Sequence, residues 1–346
     1  VTADRNSWAE PGVEQVATDV WRIPLELPND GLKAVNVYAL RDGDGLTFVD
    51  GGWALDAARR TLADGLKQIG SGLGDIRRFL VTHIHRDHYS NAVAIRREFG
   101  SRVLLGSGER PSIELVLNAT GPLFGRHYER LERLGAPEVA QRLRELAARN
   151  QGDREVIERP DAWIAPAETF QVGDRVLEAI PTPGHTSGHV VFADHAAGIL
   201  FAGDHVLPHI TPSVAFEPVQ SPLALRNYLE SLRLVRAMPD MLLLPAHGPA
   251  GQRVHARVDE LLAHHAARLD EMAQVLKSGW CTPYEVAQQV GWTRRLRHLD
   301  ELDGFNQMLA VFETALHLDL LVAQGIAVTK ESGGVIEYGL HSSTVD

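Results

Sequence analysis

The stretch that most constrains this chain is Val81-Thr82-His83-Ile84-His85-Arg86-Asp87-His88. Four groups able to bind a metal fall within six residues, directly after the apolar run Phe79-Leu80-Val81, which reads as the end of a buried strand. In extended backbone, residues two apart point the same way, so His83 and His85 can reach one point in space. Asp87 and His88 are adjacent and face differently, onto a second point nearby. One short loop can therefore serve two cations about 3.5–4 Å apart, the separation of two-metal hydrolytic centres. Imidazole mixed with carboxylate suits zinc or iron better than magnesium or calcium. The bland alternative is a polar loop that happens to be rich in histidine. The rest of the chain argues against it by supplying further donors.

The 346 residues are long enough for a large core and two domains. A hydrophobic content of 44% and a charged content of 23% are ordinary for a globular protein. The formal net charge of −11 argues against a polyanion or an anionic membrane as main partner, so neither DNA nor membrane is expected. The single cysteine, Cys281, leaves no internal disulfide and fits a reducing compartment. No apolar run is long enough to span a bilayer, and Val1-Thr2-Ala3-Asp4-Arg5 carries no apolar segment of signal type. A cytoplasmic location is the expectation.

Strand patterns at Val20–Ile23, Val35–Leu40 and Leu46–Val49 lead to Asp50-Gly51-Gly52, a carboxylate at a strand tip followed by glycines. Helical spacing runs from Ala54 to Ile69, and a helix is expected from about Asn91 to Phe99, after the histidine loop. Residues 109–160 change character: three helices rich in Arg and Glu, with eight arginines balanced by seven acids between Arg126 and Arg159. They read either as a solvated hairpin or as a lid over the site. Strands return at Thr169–Val172 and Val176–Ile180, before Pro181-Thr182-Pro183-Gly184-His185. Gly198–Phe201 ends in Ala202-Gly203-Asp204, and Met241–Leu244 in Pro245-Ala246-His247-Gly248. Strand ends thus repeatedly deliver Asp or His into loops. From Arg253 the pattern turns helical: a long helix over 254–276, a capped start at Thr282-Pro283-Tyr284-Glu285, an apolar stripe from Phe305 to Leu320, and a hairpin around Gly333-Gly334. Three helices and a hairpin suggest a small winged-helix domain.

His83, His85, Asp87, His88, His185, Asp204 and His247, in the motifs Thr82 to His88, Gly184-His185, Gly203-Asp204 and Ala246-His247-Gly248, resemble the metallo-β-lactamase superfamily over roughly residues 15–250. The resemblance implies an α+β fold: a four-layer αββα sandwich over residues 1–252, with 109–160 as helical insertion, followed by the winged-helix-like domain at 253–346. The tail is similar to that of the branch containing β-lactamase-like protein 2, and the chemistry to that of the glyoxalase II-like branch. By resemblance, one metal is held by His83, His85 and His185, and a second by Asp87, His88 and His247. Asp204 bridges them, and Asp50 orients a ligand histidine. Two zinc ions are the implied cofactor, with iron or a mixed Zn/Fe pair as alternative. The implied reaction is attack on an acyl carbonyl by a metal-bridging hydroxide, with Asp204 and Asp87 as the catalytic carboxylates and Asp87 or a metal-bound water returning the proton.

Other residues carry plainer expectations. His189, His205 and His209 lie near ligands in sequence and are read as structural, with substrate contact as the alternative. Tyr89 is read as packing rather than donating to an oxyanion. His264 and His265 are expected to be solvated, and Cys281 to be a small filler. The substrate follows from differences within the superfamily. Its true β-lactamases typically lack the bridging aspartate present here as Asp204, flavodi-iron reductases replace the histidine that stands here as His85, and persulfide dioxygenases use one iron. What remains is hydrolysis of an ester, thioester or lactone, or cleavage of RNA or another phosphodiester. From Arg253 to Asp346 there are eight Lys/Arg against thirteen Asp/Glu, and His298 to Thr329 contains neither Lys nor Arg. Phosphate binding needs such residues, so a small acyl substrate is favoured over nucleic acid. A metal-binding effector with vestigial catalysis is the reading from a different class, and a homodimer is left open.

Overall fold

A computed structural model describes residues 6–28, 31–119, 125–149, 157–214, 216–293 and 296–341. The expected insertion is therefore described except at 120–124 and 150–156, which, like Val1–Arg5, lie outside these residues. Two sheets dominate. The first runs in chain order through β1 (Glu14–Ala17), β2 (Val20–Glu26), β3 (Ala34–Asp42), β4 (Gly45–Val49), β5 (Ile76–Val81), β6 (Arg102–Gly106) and β7 (Ala162–Ile164). The second has β8 (Thr169–Val172), β9 (Arg175–Pro181), β10 (Val190–Asp194), β11 (Ile199–Gly203) and β12 (Leu242–Pro245), in the order β12-β11-β10-β9-β8. A separate hairpin pairs β13 (Ala327–Ser332) with β14 (Val335–Leu340). The helices are α1 (Asp56–Gln68), α2 (Arg86–Phe99), α3 (Arg110–Asn118), α4 (Gly125–Arg133), α5 (Pro137–Arg149), α6 (Ala224–Ala237), α7 (Val254–Val275), α8 (Pro283–Gln289) and α9 (Gly304–Ala323).

The two-residue period of a strand sorts its side chains to two faces. Val35, Val37, Phe79, Val81, Val103 and Leu105 pack with Leu62 and Leu66 of α1 and Ala92 and Val93 of α2. The alternate residues Tyr38, Leu40, Leu80 and Leu104 turn the other way and meet Phe170, Leu177, Phe192 and Phe201 of the second sheet. Because both faces of the central strands are covered, all five residues of β4 and the run Phe79-Leu80-Val81 of β5 are buried. On the far side of the second sheet, Val191, Leu200 and Leu243 are buried as well. There Ser231 of α6 donates to the Pro183 carbonyl at 2.9 Å and Arg257 of α7 to the Leu207 carbonyl at 2.6 Å. The architecture is the αββα sandwich expected from the sequence.

Two compact units emerge: residues 1–118, 154–212 and 230–259 form the first, and 119–153, 213–229 and 260–346 the second. These units interleave along the chain, where the sequence reading draws one linear division at residue 252. α4 and α5, expected as an insertion of the catalytic domain, bury Leu131, Leu134, Val139 and Ala140 in one core with Val311, Ala315 and Leu318 of α9. Arg142 of α5 also donates to Gln307 Oε1 of α9 at 2.6 Å. The order α7, α8, α9, β13, β14 in the second unit is the three-helix-plus-hairpin series read from the sequence. α8 starts as expected, with Thr282 Oγ1 accepting from the Glu285 N–H at 3.1 Å and Glu285 Oε2 accepting from the Thr282 N–H at 2.8 Å. α6 and β7 were not foreseen. No helix among the described residues is long and apolar enough to cross a membrane.

His127 of α4 packs in this second core against Phe216 and Phe312, with ring centroids 5.5 and 5.8 Å away. Burial, helped by the nearby Arg130 guanidinium, pushes its pKa down to about 4. An imidazole near 6.5 in the unfolded chain therefore binds a proton that the folded one refuses. Its stabilising contribution is complete above pH ~6.5 and is lost as pH falls toward 4, at up to about 1.4 kcal/mol per pH unit. We expect the urea midpoint of the second unit to drop between pH 7 and 5, and to drop less in His127→Gln. Equal pH sensitivity in both proteins would count against this assignment.

Candidate metal centre

The donors arrive at one edge of the sandwich because β4 and β5 run parallel, as do β11 and β12. Their C-terminal ends carry Asp50, the His83–His88 stretch, Asp204 and His247. The stretch itself differs from expectation in one respect. α2 begins at Arg86, with His85 at its N-cap position, so of the four donors only His83 and His85 precede the helix. Asp87 and His88 sit on the first helical turn, where successive side chains diverge by about 100°.

All seven residues converge. His185 Nε2 lies 3.2 Å from His83 Nε2 and 3.0 Å from His85 Nδ1. On the other side, His247 Nε2 faces Asp87 Oδ2 at 3.3 Å and Asp204 Oδ1 at 3.4 Å, and His88 Nε2 lies 3.5 Å from Asp87 Oδ2. Asp204 spans the two groups, its Oδ1 3.6 Å from His88 and its Oδ2 3.5 Å from His185. His83/His85/His185 and Asp87/His88/His247 each bring their donor atoms within 4.8 Å of one another, as does His83/His88/Asp204. His83, His88 and His247 are buried, while His85 and Asp87 are partly exposed and open the cluster to solvent.

The donor chemistry fits cations. His88 Nε2, His247 Nε2 and Asp204 Oδ1 are buried without a hydrogen-bond partner, a costly state for three polar atoms unless a cation takes their lone pairs. Charges follow the same division. Burial disfavours the ionised carboxylates, yet the imidazoles of His88 and His247 hold Asp87 well below the ordinary range. Burial also opposes the His247 imidazolium, and Asp204 and Asp87 overcome it, raising its pKa to about 10. His83, surrounded by imidazoles rather than carboxylates, is pushed well down by burial and then by His88, His85 and His185. One half of the cluster is thus an all-imidazole pocket and the other a carboxylate-rich one.

The far nitrogens are fixed by the scaffold. Asp50, in a left-handed conformation with φ 62°, accepts from the Thr82 N–H at 2.8 Å and lies 2.9 Å from His88 Nδ1. The Thr82 hydroxyl donates to Asp50 and lies 3.0 Å from His83 Nδ1, so one carboxylate aligns two histidines. Gly51 lets this strand end touch α2, since a Cβ there would lie 2.7 Å from the Ala92 nitrogen. His247 Nδ1 donates to the Ala34 carbonyl at 2.7 Å. Removing such an acceptor typically weakens metal binding about 10–100-fold. We expect that loss of zinc affinity in Asp50→Ala, measured by competition with a chromogenic chelator. An unchanged affinity would remove Asp50 from the role.

Residues near the ligands divide as follows. His189 is buried, with Nδ1 2.8 Å from Thr182 Oγ1 and Nε2 accepting from the Asp204 N–H at 3.1 Å; it braces the Asp204 turn. His205 is buried and His209 exposed. Tyr89 is fully buried and donates to the Glu158 carbonyl at 2.7 Å, so it packs. Cys281 is buried. Two contributors carried no motif. Asn36, inside β3, donates to the Pro245 and Gly248 carbonyls at 2.9 and 2.8 Å and clamps the His247 loop. The buried Glu109 carboxylate accepts from the Thr186 hydroxyl and, at 3.4 Å, from the Ile84 N–H, joining the loops of His85 and His185. A polar residue inside an apolar strand was a readable signal for Asn36; Glu109 offered none.

Comparison with known proteins agrees with this geometry. The pattern of the metallo-β-lactamase superfamily matches residues 30–247. The probable metallo-hydrolase YqjP of Bacillus subtilis is 25% identical over 316 residues, 88% of this chain and 92% of that protein. An atrochrysone carboxyl ACP thioesterase of Aspergillus fumigatus is 29% identical over 114 residues, 33% of this chain and 25% of that enzyme. Among solved structures, a metallo-β-lactamase family protein of Thermus thermophilus superimposes with a TM-score of 0.78 at 25% identity, covering 94% of this chain and all of that one. A β-lactamase domain protein of Burkholderia ambifaria gives 0.75 at 26%, covering 95% of each. The family match runs from before β3 to His247 and includes every strand end that supplies a donor, and this chain belongs to the metallo-β-lactamase superfamily.

Proposed function

We propose that the chain is a dinuclear zinc hydrolase of acyl esters or thioesters, lactones included. The observation that carries the reading is Asp204, whose two oxygens face the two donor groups, 3.6 Å from His88 and 3.5 Å from His185. In this assignment His83, His85 and His185 hold one ion, Asp87, His88 and His247 the other, and Asp204 both. The imidazole and carboxylate donors suit zinc, with iron as alternative. When bound, such a pair supplies a nucleophile at neutral pH and polarises the carbonyl. The chain's own part is orientation and proton handling. Asp50, Thr82 and the Ala34 carbonyl fix the ring planes of His88, His83 and His247. Asp87, partly exposed at the edge of the cluster beside His88 and His247, is the carboxylate that would relay the proton between solvent and the leaving group. The thioesterase activity named for the Aspergillus relative supports a thioester as first substrate to try. The segment 253–346, read as winged-helix-like, carries eight Lys/Arg against thirteen Asp/Glu, a balance that favours a small acyl substrate over nucleic acid.

The test is a side-by-side assay of the zinc-loaded protein on an acyl-CoA thioester, an acyl ester, a lactone, a cephalosporin and a short single-stranded RNA, with Asp204→Ala as control. Dominant thioester, ester or lactone turnover, absent in the variant, supports the reading. Cleavage of RNA alone replaces it with a nuclease of the β-lactamase-like protein 2 type.

A further inference from the structure

The second unit contains another group of donors, one the superfamily site does not use. On α7 and α9, His264, His265 and Glu313 bring ligand atoms within 4.8 Å of one another. The expectation that both histidines are solvated fails for one of them: His264 is exposed, but His265 is fully buried. Adjacent residues on a helix point about 100° apart, and His265 falls on the apolar stripe of Leu261, Leu269 and Met272.

The proton positions around His265 follow from its neighbours. His317 lies one turn beyond Glu313 on α9, and its Nδ1 is 2.8 Å from the Glu313 carbonyl. A carbonyl only accepts, so this Nδ1 carries the hydrogen and His317 Nε2 is left as an acceptor. His265 Nδ1 lies 3.2 Å from that Nε2 and therefore donates to it. The lone pair of His265 is thereby assigned to Nε2. That atom is buried and has no hydrogen-bond partner. Tautomer and ring orientation are both fixed, the state in which proteins hold a metal-binding imidazole. Burial keeps both rings neutral, as a ligand must be: His317 is pushed down to about 3, and His265 well below its ordinary value. The Glu313 carboxylate has no salt bridge among the described residues. The neighbouring Arg268 guanidinium gives Nη1 to Glu271 Oε2 at 2.7 Å and to the Gly291 carbonyl at 3.1 Å, while its buried Nη2 makes no hydrogen bond.

We propose that His264, His265 and Glu313 form a second divalent-cation site, selective for borderline ions of the zinc type. Two imidazoles and a carboxylate are a zinc donor set, and three protein ligands leave one position open to water or a further ligand. The ion bridges α7 and α9, and the exposed His264 is its route of entry.

The experiment counts zinc per chain after equilibrium dialysis of the full-length protein against buffered micromolar free zinc. Wild type is compared with His264→Ala and Glu313→Gln, with circular dichroism confirming that each variant is folded. His264 is exposed, so its replacement tests the site without opening the core. We expect each variant to hold one zinc fewer than wild type. Equal zinc content in wild type and either folded variant overturns the proposal. The count does not depend on any hydrolytic activity, so it stands apart from the reading of the superfamily site.

Discussion

Asp204→Ala is expected to lower hydrolysis of the best acyl substrate by 100- to 1,000-fold or more. The reason is position. Asp204 is the one donor facing both halves of the centre, and its Oδ1 is one of three buried polar atoms without a hydrogen bond. Loss of roughly 3–4 kcal/mol of cation-derived transition-state stabilisation corresponds to a rate change of that size. The variant also leaves His88, His185 and His247 without their shared counter-charge, so metal content should fall with activity. Measuring kcat and bound zinc on the same samples separates the two effects. Activity within a few-fold of wild type would exclude Asp204 as a bridge.

Metal removal should act on stability as strongly as the substitution acts on rate. A ligand present at about 1,000 times its dissociation constant contributes roughly 4 kcal/mol to the folded state. For a unit of this size, that is a fall in Tm of about 10 °C on treatment with a strong chelator. The effect should reverse when zinc is restored, and should be much smaller in Asp204→Ala, whose centre is already impaired. A chelator that leaves the wild-type Tm unchanged would mean that the folded donors do not gain from holding a cation.

Much of the centre was legible because its chemistry is written in short, local signals. His83 and His85 two apart after a strand, Gly184-His185 after another, and the carboxylates at strand tips each pointed to one edge of the sheets. The helical start at Arg86 was not legible, because Arg-Asp-His-Tyr-Ser has the composition of a loop and its helicity is imposed by packing on the sheet. α4 and α5 show why the partner of a helix is harder to read than the helix itself. Their amphipathic pattern says that one face is buried, but no periodicity says against which partner. His265 was misread for a different reason. The apolar stripe of α7 passes through it, and following the phase of Leu261, Leu269 and Met272 through the polar residue would have placed it inside.

The way the chain weaves between its two units bears on how it is made. Leu131 and Val139 leave the ribosome well before Val311 and Leu318, the residues that complete their core. Until α9 has been synthesised, α4 and α5 hold an apolar face that their core partners do not yet cover. Contacts this far apart in sequence form slowly and leave aggregation-prone surface in the interval. Neither unit can be lifted out of the gene as a continuous cassette. A chain truncated at residue 252 would expose Leu131, Leu134 and Val139 and fail for that reason, whatever the condition of its metal ligands.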